Sequence, residues 1–286
     1  MKRKRQLIAL AAVVAATALA GCGSGGGTTN PVVQPARTFG LIDFKPGGAV
    51  LPGRRTIVSF KIRTPSGKPL TEYKDCCEPH ADADLIIVRS DDSHVQYVDA
   101  DPEPDGEVSA PVVFPTPGRY HIVVDAYPKV TGSNTPFNFQ LFKSVTVRGT
   151  YRPQPLPAYH ATAVVNGYRF TVQGRPRLKA IAPTFLVLHV TDPAGHKAVF
   201  NEWRGALAHA IFFHRGDLAY SHTHVCKPGS IYCFSVLGNV HVTGQSNTPG
   251  VLRIGVLLPE PGTWRMFVLT YLGGHVLTVP FTLQVR

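Results

Sequence analysis

An internal repeat is the feature of this sequence that most constrains its fold. Phe114–Tyr127 begins Phe-Pro-Thr-Pro-Gly-Arg-Tyr, and Leu258–Tyr271 begins Leu-Pro-Glu-Pro-Gly-Thr-Trp; a largely apolar run follows in both. Each segment predicts a Pro-Gly turn that leads into a strand beginning with an aromatic residue. Two further pairs of segments correspond in the same order: 64–69 with 192–197, and 85–98 with 210–223. The repeat predicts that one structural unit occurs twice along the chain.

The fold class follows from the pattern between the turns. Short segments rich in Val, Ile, Phe and Thr alternate with polar residues, and Gly, Pro, Asn or Asp separates them roughly every 8–12 residues. The 25 prolines disfavour long helices. We therefore predict an all-β protein with two tandem immunoglobulin-like antiparallel β-sandwich domains, residues 37–149 and 150–286. Arg152–Pro157, with its three prolines, would be the stiff joint between them.

The N-terminal segment predicts export. Met1–Arg5 carries four cations, and the apolar run Leu7–Ala20 is too short to span a bilayer stably. Leu19–Cys22 reads Leu-Ala-Gly-Cys and resembles the lipobox of bacterial lipoprotein precursors, which implies removal of residues 1–21 and diacylation of Cys22. Residues 22–36 would then form a flexible tether. The alternative is an ordinary signal peptide with a chance cysteine.

The charge balance indicates the kind of partner. The formal net charge is +11, and it falls to +7 with the removal of residues 1–21, which contain four Lys/Arg and no Asp/Glu. Such a moderately basic exported chain favours anionic lipid heads or acidic wall polymers. Beyond residue 21 the sequence contains no concentrated Lys/Arg run of the kind that binds nucleic acid, so we expect no nucleic-acid partner. The expected partners are the membrane, through the lipid anchor, and an envelope protein or wall polymer.

Four cysteines remain once Cys22 is lipidated. An even number of cysteines in an oxidising compartment favours disulfides. Cys226 and Cys233 enclose a short loop with a Pro-Gly turn and are expected to be bridged. Cys76 and Cys77 are adjacent, and a vicinal disulfide, pairing with other cysteines and the reduced state all stay open.

The second half contains a histidine-rich hairpin, residues 207–224. A two-residue turn at Arg215-Gly216 would set His209 opposite His222, and a shift of two residues would keep the same faces together. His209, His222 and His224 then share one face with apolar residues, which predicts that this face is the inward one. Imidazole binds copper and zinc readily, so these three histidines are candidate metal ligands. The alternative is a set of hydrogen-bonded histidines that hold no ion.

Two observations limit this metal hypothesis. A blue-copper site requires a thiolate and usually an axial Met, whereas Met266 is the one Met after Met1 and Cys226 is expected in a disulfide. The first half carries Asp84, Tyr97 and Asp99 at the positions of the three histidines. A type-2 copper or zinc site would therefore belong to the second half.

The run from His209 through Gly216-Asp217-Leu218 to His222-Thr223-His224, followed by Pro261–Arg265, resembles a group of uncharacterised bacterial secreted proteins and lipoproteins. Their modules look like YtkA-like and other immunoglobulin-like β-sandwiches of the cell envelope. The resemblance implies the fold and the extracytoplasmic compartment, and it suggests a link to copper handling without implying a demonstrated activity.

The sequence carries no signature of catalysis. It lacks Gly-x-Ser-x-Gly, His-Glu-x-x-His and a phosphate-binding glycine loop before a helix. Ser221 and His222 are strand neighbours and so point to opposite faces. We therefore expect a non-enzymatic, membrane-anchored envelope lipoprotein that acts as a binding or structural module. The alternative is an extracytoplasmic copper or zinc binding protein that uses His209, His222 and His224.

Overall fold

The computed structural model describes residues 38–73, 83–100, 102–129, 138–230, 233, 235–237 and 240–286. The predicted leader, the tether, Cys22, Cys76 and Cys77 lie outside these residues. Residues 37–286 form one compact unit. The described residues contain strands, turns and loops and no helix, which confirms the all-β prediction. Accordingly, no helix among them is long and apolar enough to cross a membrane.

The first half is a sandwich of two antiparallel sheets. Its strands are β1 (Gly40–Lys45), β2 (Arg55–Arg63), β3 (Ala83–Arg89), β4 (Val95–Ala100), β5 (Glu107–Val113), β6 (Gly118–Ala126) and β7 (Phe139–Val147). One sheet has the order β1-β2-β5 and the other has the order β4-β3-β6-β7. Apolar side chains from both sheets, among them Phe60, Leu85 and Tyr120, form a shared core. Two antiparallel sheets of three and four strands over one core are the architecture of an immunoglobulin-like domain.

The second half repeats this topology with additions. Its strands are β8 (Thr162–Val165), β9 (Tyr168–Val172), β10 (Thr184–Thr191), β11 (Ala208–His214), β12 (Tyr220–Cys226), β13 (Val236–Leu237), β14 (Val240–His241), β15 (Gly244–Gln245), β16 (Val251–Val256), β17 (Gly262–Leu272) and β18 (His275–Val285). The order β12-β11-β17-β18 corresponds to β4-β3-β6-β7, and β9-β10-β16 corresponds to β1-β2-β5. The short strand β15 bridges β12 and β16, which makes the two layers one nine-stranded sheet.

The repeated Pro-Gly segments form the same corner in both halves. The hydroxyl of Tyr120 donates to the carbonyl of Thr116 at 3.1 Å, and Nε1 of Trp264 donates to the carbonyl of Glu260 at 3.1 Å. Both aromatic side chains are fully buried. A buried aromatic group tied to the backbone a few residues upstream is the tyrosine corner of immunoglobulin-like domains, and here a tryptophan repeats it.

The two halves pack against each other through equivalent sheets. Their contact is an apolar cluster with four buried members from each half: Ile86, Val88, Val95 and Val123, and Ile211, Phe213, Phe267 and Leu269. Every strand pairing among the described residues joins strands of the same half. The division at residues 149 and 150 stays a prediction, because the halves are packed into one unit.

The predicted joint does not extend freely between the halves. Arg89 donates from Nη2 to the carbonyl of Arg152 at 3.2 Å, and the backbone nitrogen of Gln154 donates to Oδ2 of Asp91 at 2.7 Å. The joint is therefore bonded to the turn that follows β3.

The histidine-bearing face of β11 was expected to be the inward face of its own sandwich, and this expectation is wrong. The opposite face, with Ala208, Ala210 and Phe212, supplies the core of the second half. Ile211 and Phe213 belong instead to the cluster between the halves. Because β11 is apolar on both faces, its alternation could not identify which face meets which partner.

Candidate metal centre

The hairpin of β11 and β12 carries the three histidines in a register that differs from the predicted one. His209 pairs with His224, and Ile211 pairs with His222. Residues 215–219 form the connecting loop, closed by a hydrogen bond of 2.9 Å from the nitrogen of His214 to the carbonyl of Ala219. The predicted two-residue turn is therefore wrong, and the register is shifted by two residues. A shift by two leaves every side chain on its face, so the histidines still lie together.

The three imidazoles form a compact group. Their ring centroids lie 4.6 Å apart for His222 and His224, 4.8 Å for His209 and His224, and 5.3 Å for His209 and His222. One ring nitrogen from each histidine lies within 4.8 Å of the other two. His209 is 2% exposed, and His222 and His224 are partly buried. The structure thus brings together all three candidate ligands at a largely buried position.

Polar contacts outside the group orient two of the rings. Nε2 of His209 lies 3.1 Å from the carbonyl of Trp203, which can only accept, so this nitrogen carries the proton. Nδ1 of His222 lies 3.6 Å from Oδ2 of Asp125. The other nitrogens, Nδ1 of His209 and Nε2 of His222, face each other at 3.1 Å. Zn–N bonds of about 2 Å place two ligand nitrogens about 3–3.5 Å apart, so this separation suits a shared ion as well as a hydrogen bond.

Asp125 comes from the first half, on β6, and the sequence reasoning did not single it out. It is 1% exposed. Its Oδ1 accepts from the side-chain amides of Asn138 and Gln140, both at 3.0 Å, and its Oδ2 accepts from the hydroxyl of Tyr220 at 3.4 Å. A carboxylate in the otherwise apolar run 122–126 is the sequence signal that points to it, because a buried Asp requires partners.

The corresponding positions of the first half form an ion pair with an arginine. Asp84 pairs with Asp99 across β3 and β4, as His209 pairs with His224. Nη1 of Arg204, from the second half, forms an ion pair with Asp99 and donates to Oδ1 of Asp84 at 2.9 Å. The guanidinium also stacks on the ring of Tyr97 at 4.3 Å. The acidic pair therefore serves the contact between the halves.

Burial dominates the electrostatics of Asp84. Burial raises the pKa of Asp84 to about 7, although the charge of Arg204 and a hydrogen bond from Tyr97 lower it. The Tyr97 hydroxyl donates to Oδ2 of Asp84 at 2.7 Å, and burial raises the pKa of this phenol well above its ordinary value. The Tyr97 ring also contacts His209 and His222, with centroids 5.5 Å and 5.9 Å away. Tyr97 thus links the acidic pair to the histidines.

A disulfide closes the strand that carries His222 and His224. Cys226 and Cys233 are bonded, with Cα atoms 5.7 Å apart. Both are buried. The backbone nitrogen of His224 donates to Oγ of Ser235 at 2.6 Å, so the chain beyond the disulfide returns to the strand beside the histidines. A bridged Cys226 cannot supply the thiolate of a blue-copper site.

A second group of possible ligands lies at the loop end of the hairpin. Nδ1 of His214 lies 2.8 Å from Oδ1 of Asp217 and 3.4 Å from Oε1 of Glu260. Both carboxylates approach the same nitrogen, and the Asp217 side chain is 55% exposed. These three side chains form a polar cluster at the surface, which the sequence reasoning did not single out as a site.

Comparison with known proteins adds one family match. Residues 163–286 match a family model described as "Domain of unknown function (DUF8832)". No protein with a curated description matches the sequence significantly. The predicted resemblance to YtkA-like modules stays a prediction, because the matched family has no assigned function.

Several solved structures are similar to the chain. A chimeric titin Z1Z2 carrying a KLER peptide from decorin is 14% identical over 83% of this chain and 91% of its own, with a TM-score of 0.21. Salmonella alpha-2-macroglobulin reacted with methylamine is 13% identical, and the match covers 87% of this chain and 14% of the macroglobulin chain, with a TM-score of 0.23. Invasin, a bacterial integrin-binding protein, is 13% identical, and the match covers 85% of this chain and 38% of the invasin chain, with a TM-score of 0.22. At these values the comparison carries no functional argument.

Proposed function

We propose that this protein is a lipid-anchored, extracytoplasmic and non-catalytic module of the bacterial cell envelope that binds a zinc or copper ion through His209, His222 and His224. One observation carries the proposal. His209 and His222 each direct one nitrogen to an acceptor outside the group, and their other nitrogens face each other at 3.1 Å. Metal-binding histidines are characteristically held in this way, by a backbone carbonyl or a carboxylate on the nitrogen that does not bind the ion.

The donor set determines which ions are expected. Three imidazoles, without a carboxylate ligand in their group among the described residues, suit zinc and copper, whereas calcium and magnesium require oxygen ligands. The carboxylate of Asp125 faces the outer nitrogen of His222, so it supports a ligand and is not one itself. Three protein ligands leave a fourth position for water or another small ligand.

The anchoring part of the proposal comes from the sequence. Leu19–Cys22 matches the lipobox pattern, and the Gly-rich stretch after it would separate the compact unit from the lipid. An exported location also agrees with the Cys226–Cys233 disulfide, because disulfides persist in oxidising compartments. Ser221 supports the non-catalytic part. Although it is next to His222 in sequence, its side chain is buried on the opposite face of β12, so the two cannot easily act as a nucleophile and its base.

A metal titration tests the proposal. The exported chain from Gly23 onward is titrated with Zn(II) and with Cu(II) in competition with a chromogenic chelator, and we expect one tightly bound ion per chain. A His222→Ala/His224→Ala variant should lose this binding. The matched control, His189→Ala/His275→Ala, removes two exposed histidines away from the site and should bind as the parent does. Equal weak binding by all three proteins would exclude the metal function.

The anchor is tested separately. The full-length chain is produced in a bacterial host and its membranes are separated from the soluble exported fraction. We expect the parent in the membranes and a Cys22→Ala variant, which cannot be diacylated, to lack the fatty acyl groups that mass spectrometry detects on the parent. An unmodified Cys22 in the parent would contradict the lipoprotein assignment.

A further inference from the structure

We infer that Asp125 of the first half is the positioning residue that fixes the proton of His222 on Nδ1, so that the ion site of the second half is complete only with the first half in place. The inference rests on the proposed function, because it concerns the same three histidines. Asp125 itself is not proposed to bind the ion, and its strand, β6, carries none of the three histidines.

The surroundings of Asp125 hold its carboxylate in one orientation. Two side-chain amides, from Asn138 and Gln140, donate to Oδ1 at 3.0 Å. These amide groups approach through their nitrogens, and Tyr220 approaches Oδ2 through its hydroxyl. A carboxyl group whose neighbours are all donors acts as an acceptor. Oδ2 is therefore an acceptor aimed at the second half.

This acceptor selects the tautomer of His222. Nδ1 of His222 lies 3.6 Å from Oδ2 of Asp125, and a proton on Nδ1 is attracted to the carboxylate whereas a lone pair there is repelled. With the proton on Nδ1, the lone pair of neutral His222 is on Nε2. The Nε2 proton of His209 is directed to the carbonyl of Trp203, so the lone pair of neutral His209 is on Nδ1. Two lone pairs thus converge where His222 Nε2 meets His209 Nδ1 at 3.1 Å.

The position of Asp125 makes the two halves interdependent. The ligand strand β12 belongs to the second half, and the carboxylate that orients its His222 belongs to β6 of the first half. Tyr220 connects the same two strands, since its ring is on β12 and its hydroxyl donates to Asp125. Loss of such an outer partner typically weakens metal binding about 10- to 100-fold.

Asp125→Asn is the informative substitution because it keeps the shape of the side chain and replaces the acceptor facing Nδ1 of His222 with a donor. The Asn oxygen can still accept from Asn138 and Gln140, which directs the NH2 group toward His222. That NH2 group would donate to Nδ1 of His222, and the ring proton would move to Nε2, where it blocks the ligating lone pair. We expect Zn(II) affinity to fall about 10- to 100-fold.

Two matched variants control for the substitution itself. Asp217→Asn makes the same change opposite Nδ1 of another histidine, His214, at the far end of the hairpin. Asp84→Asn changes another buried carboxylate at the contact between the halves, and this carboxylate faces Arg204 and Tyr97. Both should keep the Zn(II) affinity of the parent, and Asp125→Glu, which retains the carboxylate, should bind more tightly than Asp125→Asn.

Nitrogen NMR provides a readout that a merely structural role would not change. Long-range proton–nitrogen spectra of the metal-free exported chain distinguish a protonated Nδ1 from an unprotonated one. We expect a protonated Nδ1 on His222 in the parent and an unprotonated one in Asp125→Asn. The measurement on the parent needs no variant, so it tests the inference even where Asp125→Asn fails to fold.

The outcomes separate the two proposals. If the parent binds no zinc, the proposed function and this inference are both overturned. If the parent binds zinc and His222→Ala/His224→Ala does not, while Asp125→Asn binds as tightly as the parent, the inference alone is overturned. An unprotonated Nδ1 on His222 in the parent would overturn it as well.

Discussion

Replacing Phe213 with alanine would remove a ring that is completely buried between the two halves. Its neighbour Phe212 is equally buried but belongs to the core of the second half. Strand alternation places these two rings on opposite faces of β11. The pair therefore separates the contribution of the contact between the halves from that of one sandwich.

The expected magnitude follows from burial. Phe→Ala in a packed core costs about 3–5 kcal/mol, because the transfer energy is lost and a cavity remains. Substitutions on an exposed surface usually stay within about 0.5 kcal/mol. If the halves were independent domains joined by a linker, the Phe213 ring would lie on a solvated face and its removal would cost little. In the packed arrangement, Phe213→Ala should cost nearly as much as Phe212→Ala.

Urea unfolding followed by fluorescence measures this difference. Of the two tryptophans of the chain, Trp264 lies in the core of the second half and reports on that half, whereas Trp203 packs against Tyr97 of the first half and reports on the contact between the halves. Phe142→Ala is the control, because its ring is 60% exposed on β7 of the first half. A loss below about 1 kcal/mol for Phe213→Ala, beside the full loss for Phe212→Ala, would refute the packing of the halves as a shared core.

Three further predictions concern the corner and the acidic pair. Arg204→Ala removes the cation that faces the buried Asp84. Because a carboxyl with a pKa of about 7 can take up a proton, the loss in urea unfolding at pH 7 should stay below the cost of an unpaired buried charge, which is about 3–5 kcal/mol. Tyr120→Phe removes the hydrogen bond to the Thr116 carbonyl and should cost about 0.5–1.5 kcal/mol in the same assay, and no change would argue against the corner. The pKa of Asp84 is about 7 in the folded protein and 3.8 for the unperturbed group, so the folded state binds this proton more tightly. Its contribution to the free energy of unfolding should therefore fall as the pH rises from about 4 to about 7, and thermal unfolding of Asp84→Asn should show a flatter pH dependence.

The repeat made the fold predictable. The Pro-Gly segments at 114–120 and 258–264 mark corresponding corners, and the pairing of Asp84 with Asp99 and of His209 with His224 occupies matching positions in the two halves. The histidine group was also predictable despite the wrong turn, because an error of two residues in a hairpin does not move a side chain to the other face.

The sequence could not show which part of the protein covers the histidine-bearing face of β11. All residues of β3, Ala83–Arg89, are buried, and β11 is buried on both faces except at its last residue. A strand covered on both sides presents two apolar faces, and periodicity cannot assign one to its own sandwich and one to a neighbour. Asp125 was missed for the same reason, because its role depends on a contact with Tyr220 and His222, more than ninety positions further along the chain.

The use of equivalent sheets for the contact between the halves limits how this chain can be divided. The matched family model covers residues 163–286, which is one half. That half in isolation would present Ile211, Phe213, Phe267 and Leu269 to water, and a contiguous apolar surface of this kind promotes self-association. A truncated version therefore needs polar substitutions at these four positions to remain monomeric in solution, because otherwise a second copy of itself would cover them.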